Sequence, residues 1–230
     1  MNIKKHIPNT ITCGNLFCGC LGIVFAFKGD LTFATYLLWL AMVLDFFDGF
    51  AARMLKVSSP IGKELDSLAD MVTFGVLPSV IMFHLIGSYS DHEYLPFAAF
   101  IIAIFSALRL AKFNIDDRQQ SVFIGLPTPA NALFISSFAF IVASDYGGFV
   151  NTGVLLAISV VFSLLLIAPV ELFALKFKSF SWKDNQLRFT FLIISVLCIV
   201  IFKILAIPLI IITYIVLSLI NNLVSKKSVT

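Results

Sequence analysis

"LDFFDGFAARMLKVSSPIGKELDSLAD", Leu44–Asp70, sets four aspartates (Asp45, Asp48, Asp66, Asp70) and Arg53 at the junction of two long apolar runs. The runs on either side decide the fold. A helix needs about 20 apolar residues to cross roughly 30 Å of hydrocarbon, and stretches near that length recur along the whole chain. Spans are predicted near 11–27, 31–56, 66–86, 94–113, 130–144, 152–175, 189–202 and 204–223. No ten-residue alternation of the kind a membrane barrel requires is present. The expected fold is therefore an all-α, polytopic bundle of about eight transmembrane helices. Six to eight is the range, because Lys203 and Pro208 interrupt the last apolar run and a single broken span is the alternative there.

Composition agrees. The 230 residues are 60% hydrophobic and 13% charged, with a mean hydropathy of +1.01, whereas about a quarter of the residues of a soluble domain are charged. The net charge of +3 says nothing of nucleic acid, and no such partner is expected. Its distribution follows topology instead. Lys4, Lys5, Arg53, Lys56, Lys63, Arg109, Lys112, Arg118, Lys176, Lys178, Lys183, Arg188, Lys226 and Lys227 fall on one side of the predicted spans and only Lys28 and Lys203 on the other. Basic residues near span ends stay in the cytoplasm, so both termini are expected there. Lys4 and Lys5 precede an apolar run as in a signal peptide, but no small-residue cleavage site follows and the first helix is expected to be retained. Cys13, Cys18, Cys20 and Cys198 lack metal-ligand spacing and read as small packing residues. His6, His84 and His92 are scattered, and Glu171 in the sixth predicted span reads as an ion-pair partner of Lys176 and Lys178. No repeat is visible, and residues 1–230 read as one domain.

A carboxylate at membrane depth costs a few kcal/mol and normally faces a partner or a water-filled cavity. Asp45 and Asp48 are three residues apart near the end of the second span, Asp66 and Asp70 four apart near the start of the third, so each pair shares a helical face. Ser59-Pro60 suits the N-cap and first position of the third helix. Ion pairs do not balance four carboxylates, because Lys56 and Lys63 sit at aqueous ends and leave Arg53 alone. Hard oxygen donors without histidine or cysteine suit Mg²⁺, Mn²⁺ or Ca²⁺, and two divalent ions would balance the charge. Gly49, Ala51, Ala52 and Gly62 keep the neighbouring faces free of bulk, and Arg53 suits a phosphate oxygen.

The pattern DxxDGxxAR, eight residues, then GxxxDxxxD resembles the signature of the CDP-alcohol phosphotransferase family, with Asp45, Asp48, Gly49, Ala52, Arg53, Gly62, Asp66 and Asp70 at its fixed positions. The segments "IPNTITCGN", "DSLADMVTFGVLP", "RLAKFN" and "FIGLPTPA" are similar to those of its bacterial and archaeal phosphatidylserine synthase branch. Lys112 departs from the RLARFN form of that branch and forfeits a bidentate fork. The resemblance implies an integral-membrane enzyme of a bacterial or archaeal cell membrane, commonly a homodimer, that transfers a phosphatidyl group from CDP-diacylglycerol to L-serine and releases CMP. It implies a centre of two Mg²⁺ or Mn²⁺ ions on Asp45, Asp48, Asp66 and Asp70, with Asp70 also as general base. A CDP and pyrophosphate site would comprise Asn9, Thr12, Asn15, Asp48, Gly49, Ala52, Arg53 and Gly62. The serine site would comprise Arg109, Lys112 and Asn114, because an acceptor bearing a carboxylate wants cations beside the metals. Arg109 lies three residues before Lys112 and is expected to point to much the same side. Two alternatives stand: a relative using glycerol 3-phosphate or an inositol phosphate, and a transporter using the carboxylates as a relay.

Overall fold

A computed structural model describes residues 6–57, 59–116, 123–173, 182 and 185–227. Lys4, Lys5, Arg118, Lys176, Lys178 and Lys183, on which part of the charge asymmetry rests, lie outside the described residues. Helix α1 (His6–Phe27) packs antiparallel against α2 (Leu31–Leu55). Asp30 caps the second helix, its carboxylate accepting from the Phe33 amide at 2.9 Å. The third span is one apolar stretch, Pro60–Tyr89, made of α3 (Pro60–Asp70), a π turn (Met71–Val76) and α4 (Leu77–Tyr89). It starts earlier than the apolar run alone indicates. Ser59 is the N-cap, its hydroxyl accepting from the Gly62 amide at 3.0 Å, and Pro60 opens the helix.

The π turn has an identifiable cause. Pro78 brings no N–H to the carbonyl four residues back, Phe74, and its ring crowds that carbonyl, so the helix widens just upstream. Ser79 donates to the carbonyl of Gly75 at 2.7 Å within the widened stretch. The consequence for the site is that Asp70 is the last residue before the helix changes pitch.

The fourth span, Leu95–Ile115, is a 3₁₀ turn followed by α5 (Ile101–Ile115). Then come a short strand β1 (Phe123–Ile124), α6 (Thr128–Val142), α7 (Thr152–Ile167), strand β2 (Glu171–Leu172), α8 (Gln186–Phe202) and α9 (Ala206–Lys227). The predicted sixth span ends eight residues early, at Ile167, because Ala168 precedes Pro169 and is held extended at φ −59°, ψ 139°, as residues before proline are. Glu171 is therefore no intramembrane helix residue. It is exposed on β2, which pairs antiparallel with β1 (Ile124 opposite Glu171), and its expected partners Lys176 and Lys178 lie outside the described residues. Gly125, which follows β1 at φ +78°, runs so close to the Leu166 carbonyl oxygen that a Cβ would collide with it.

The C-terminal ambiguity resolves as a hairpin. Lys203 turns the chain at φ 52°, ψ −126°. The rings of Phe191 and Tyr214, lying at equal sequence distances either side of Lys203–Phe202, stand 5.8 Å apart, which only an antiparallel return allows. The described residues thus hold eight helical spans, five of the apolar stretches being long enough to cross a membrane by length and composition.

Helix α4 is the most enclosed: Leu77, Ile81, Met82, Leu85 and Ile86 are fully buried against Leu38 of α2, Ile102 of α5, Ile135 of α6 and Leu155 of α7. The outer helices instead expose Phe46, Phe47, Phe50, Val196 and Ile201, as lipid contact requires. Small residues on α1 bring it close to the third span. A Cβ on Gly19 would strike the Thr73 hydroxyl and lie 3.1 Å from the Thr73 Cα. Gly19→Ala should accordingly cost about 1–3 kcal/mol by overpacking, visible as a lower Tm in detergent. An unchanged Tm would mean that α1 is free to shift.

Candidate active site

The carboxylates meet where α1, α2 and α3 converge. One oxygen from each of Asp45, Asp48 and Asp66 lies within 4.8 Å of the other two. The antiparallel register of α1 and α2 sets Thr12 beside Asp48, to which its hydroxyl donates at 2.7 Å, and Asp48 is only 6% exposed. The strongest electrostatic neighbours of Asp45 and Asp66 are other aspartates. Asp70, beside Asp45, has a cation in electrostatic reach, Arg109. Three crowded carboxylates with no ion pair to any of them among the described residues, all hard oxygen donors, fit a divalent metal ion held by Asp45, Asp48 and Asp66. Asp70 falls outside that converging set but lies within hydrogen-bonding reach of Asp45, so the structure brings three of the four expected ligands to one point and sets the fourth beside them.

A cavity of about 230 Å³ opens onto Asp48 and Asp66 of this cluster. Its walls include Asn9, Thr12, Asp48, Gly49, Ala52, Gly62 and Asp66, six of which belong to the CDP site expected from the sequence. Nothing lies within 4 Å of where a Gly49 Cβ would sit, so that backbone borders open space. Gly62 is different, since a Cβ there would come within 3.0 Å of both the Asn9 carboxamide oxygen and the Ser59 hydroxyl. Two expected members do not line the cavity. Asn15 is fully enclosed one turn from Thr12, with both amide atoms unpartnered among the described residues. Arg53 is exposed on α2. The walls also include Pro8, Val57, Ser59 and Lys63, which sequence reasoning left out. For Lys63 the signal was available: it stands next to Gly62, inside the motif.

The expected serine site divides. Arg109 is 6% exposed. It points inward, its Nη1 donating to the Thr128 hydroxyl at 3.5 Å and its guanidinium 5.2 Å from the Phe113 ring centre. Lys112 is exposed, so the shared side expected of the two cations is not found. Sixty degrees of helical rotation separates positions three apart, which here suffices to cross from interior to surface. Asn114 is engaged elsewhere, its side-chain amide donating to the Ser67 hydroxyl at 2.8 Å and its backbone carbonyl accepting from Lys63 Nζ at 3.0 Å. That tie holds the end of α5 to α3. Thr128 and Asn131, both fully buried on α6, were missed, although an asparagine inside an apolar helix is itself a signal.

Known proteins are similar in sequence to this chain. The chain is 43% identical over 143 residues to the CDP-diacylglycerol–serine O-phosphatidyltransferase of Bacillus subtilis, covering 59% of this chain and 77% of that one. It is 37% identical over 130 residues to the Helicobacter pylori (strain J99) protein of that name, covering 56% of this chain and 54% of the other. The archaetidylserine synthase of Methanothermobacter thermautotrophicus is 33% identical over 147 residues, 60% of this chain and 61% of its own. The chain thus spans about half the length of some of these relatives and three quarters of another. A family model, CDP-alcohol phosphatidyltransferase, matches residues 5–165, which takes in every element of the site from Asn9 to Asn131 and leaves out the α8–α9 hairpin. The chain belongs to the CDP-alcohol phosphatidyltransferase family.

Proposed function

We propose that this protein transfers the phosphatidyl group of CDP-diacylglycerol to the hydroxyl of L-serine, releasing CMP and forming phosphatidylserine. The observation that carries it is the convergence of Asp45, Asp48 and Asp66 beside an open cavity that Asp48 and Asp66 line, with a buried arginine, Arg109, in electrostatic reach of Asp70 behind them. The serine oxygen bonds to the lipid-bearing phosphorus, the bond from that phosphorus to CMP breaks, and the hydroxyl proton passes to the Asp70 carboxylate. Divalent ions, Mg²⁺ or Mn²⁺ and two by charge balance, would neutralise the pyrophosphate oxygens when bound at the aspartates. Asn9, Thr12 and Gly49 border the nucleotide, with Asn15 behind Thr12. Lys63, with Arg53 at the surface nearby, adds positive charge for phosphate. Arg109 holds the acceptor's carboxylate, and Lys112 and Asn114 act from the rim.

The cavity lies at the end of the bundle where α2 stops and α3 starts, close to Lys56 and Lys63. By the positive-inside rule that end is cytoplasmic, as are both termini. The setting is a bacterial or archaeal cell membrane and the working unit a homodimer, on the strength of the family resemblance.

Purified protein given CDP-diacylglycerol and, in turn, L-serine, glycerol 3-phosphate and an inositol phosphate should release CMP with serine. Release with glycerol 3-phosphate and none with serine would move the protein to another branch of the family. In the same assay Arg109→Ala should raise the serine KM roughly 10- to 100-fold, the scale of a lost charge-assisted hydrogen bond. The KM for CDP-diacylglycerol should hardly move, and an equal rise in both would remove Arg109 from the acceptor site.

A further inference from the structure

Behind the carboxylates runs a seam of buried polar atoms that have no hydrogen-bond partner among the described residues: Oδ1 of Asp70, Oγ of Ser106, Nε of Arg109 and both amide atoms of Asn131. Ser106 and Asn131 are 0% exposed. Helix register places both next to Arg109 and Thr128. The Arg109–Thr128 contact sets the register of α5 against α6, and Ser106 and Asn131 each stand one turn deeper on the same faces, three residues before Arg109 and three after Thr128. Ser106 also packs on the third span, where a Cβ on Gly75 would lie 3.1 Å from the Ser106 Cβ, one turn beyond Asp70. Polar groups buried without partners forfeit their hydration for nothing, and native interiors keep few of them. Four residues along one seam, an arginine and a carboxylate among them, call for a small polar guest.

Resting on the serine reading above, we propose that Asn131 and Ser106 form the subsite for the acceptor's ammonium group. The guest's three polar groups then match the orphaned atoms in kind. The hydroxyl faces Asp70. The carboxylate takes Arg109 and the Asn131 amide N–H, while the ammonium donates to the Asn131 carbonyl oxygen and the Ser106 hydroxyl. An uncharged amide suits this place better than a carboxylate, which would hold the ammonium but would also pair with Arg109 and neutralise the cation the guest's carboxylate needs. Because the groups are buried, an analogue lacking the ammonium leaves them unpaired and is rejected.

The test uses the full chain in lipid, with CDP-diacylglycerol and Mn²⁺, and compares kcat/KM for L-serine, 3-hydroxypropanoate (no ammonium) and ethanolamine (no carboxylate). Asn131→Leu should reduce the preference for serine over 3-hydroxypropanoate roughly 10- to 100-fold, as loss of a hydrogen bond to a charged group does. Its preference for serine over ethanolamine should fall by a smaller factor, because Arg109 still holds the carboxylate. Ser106→Ala should move the first ratio in the same direction by a smaller factor, and it decides the matter if Asn131→Leu does not fold, as judged by Mn²⁺-dependent CMP binding. An unchanged first ratio, or equal falls in both, overturns the subsite and leaves the seam as hydrated packing. Should the unmodified protein release no CMP with serine, the acceptor reading fails first, before any variant is made, and the subsite fails with it.

Discussion

An Asp66→Asn variant is expected to fold, insert and lose turnover by about 10²–10³-fold, the scale on which one preorganised charge-stabilising group acts in an active site. Asp45→Asn should do the same. The side chain keeps its shape, so packing around α3 is preserved, and one of three like charges within 4.8 Å of each other disappears. Without metal the variant should therefore be as stable as the unmodified protein or more so, a trade of stability for activity common at functional sites. Addition of Mn²⁺ separates the two. A ligand that binds only the folded state raises its stability in proportion to occupancy, so Mn²⁺ should raise the Tm of the unmodified protein and raise that of Asp66→Asn much less. EDTA should abolish CMP release, and Mg²⁺ or Mn²⁺ should restore it. Full turnover in a rigorously metal-free sample would sink the metal assignment.

Asp70→Asn should be as damaging to rate by a different route. A positioned base contributes about 10²–10⁴-fold, and serine's hydroxyl is a poor nucleophile until its proton is taken. Geometry separates this residue from the others. Its oxygens are not in the converging set formed by Asp45, Asp48 and Asp66. Its Oδ1 is buried without a partner among the described residues, and Arg109 is the cation in its reach. In the proposed reaction a group so placed faces the acceptor. The variant should then bind Mn²⁺ and CDP-diacylglycerol nearly as tightly as the unmodified protein by calorimetry, while its kcat collapses. A large loss of Mn²⁺ affinity would instead make Asp70 a metal ligand and defeat its assignment as base.

What the chain encodes locally was legible in it. Hydropathy over about 20 residues gives the solvent and the spans, and the intervals Asp45 to Asp48 and Asp66 to Asp70 put each pair on one face by helix geometry alone. Ser59-Pro60 marks the start of the third helix from the chemistry of its own backbone. The family resemblance could name Asn9, Thr12, Gly49 and Gly62, which do line the cavity. A proline was legible too, but not its effect: Ala168-Pro169 ends a helix, whereas Pro78 leaves the span continuous and only widens it. Enclosure by neighbouring helices decides between those outcomes.

The tertiary structure alone decided the rest, because it depends on which neighbour each helical face meets. Thr12 reaches Asp48 across 36 residues of sequence. Arg109 turns inward to Thr128 while Lys112, one turn on, is exposed. Asn114 is bound to Ser67 and does not join Arg109, and Lys203 folds α9 back on α8. The sequence by itself determined the solvent, the helices and the chemistry of the aspartate motif, since these follow from periodicity and residue type within a span or two. Which aspartates converge, which cation is buried and which uncharged polar groups stand beside it were decided by packing between helices distant in sequence, where a rotation of some sixty degrees carries a side chain from lipid or water into the site.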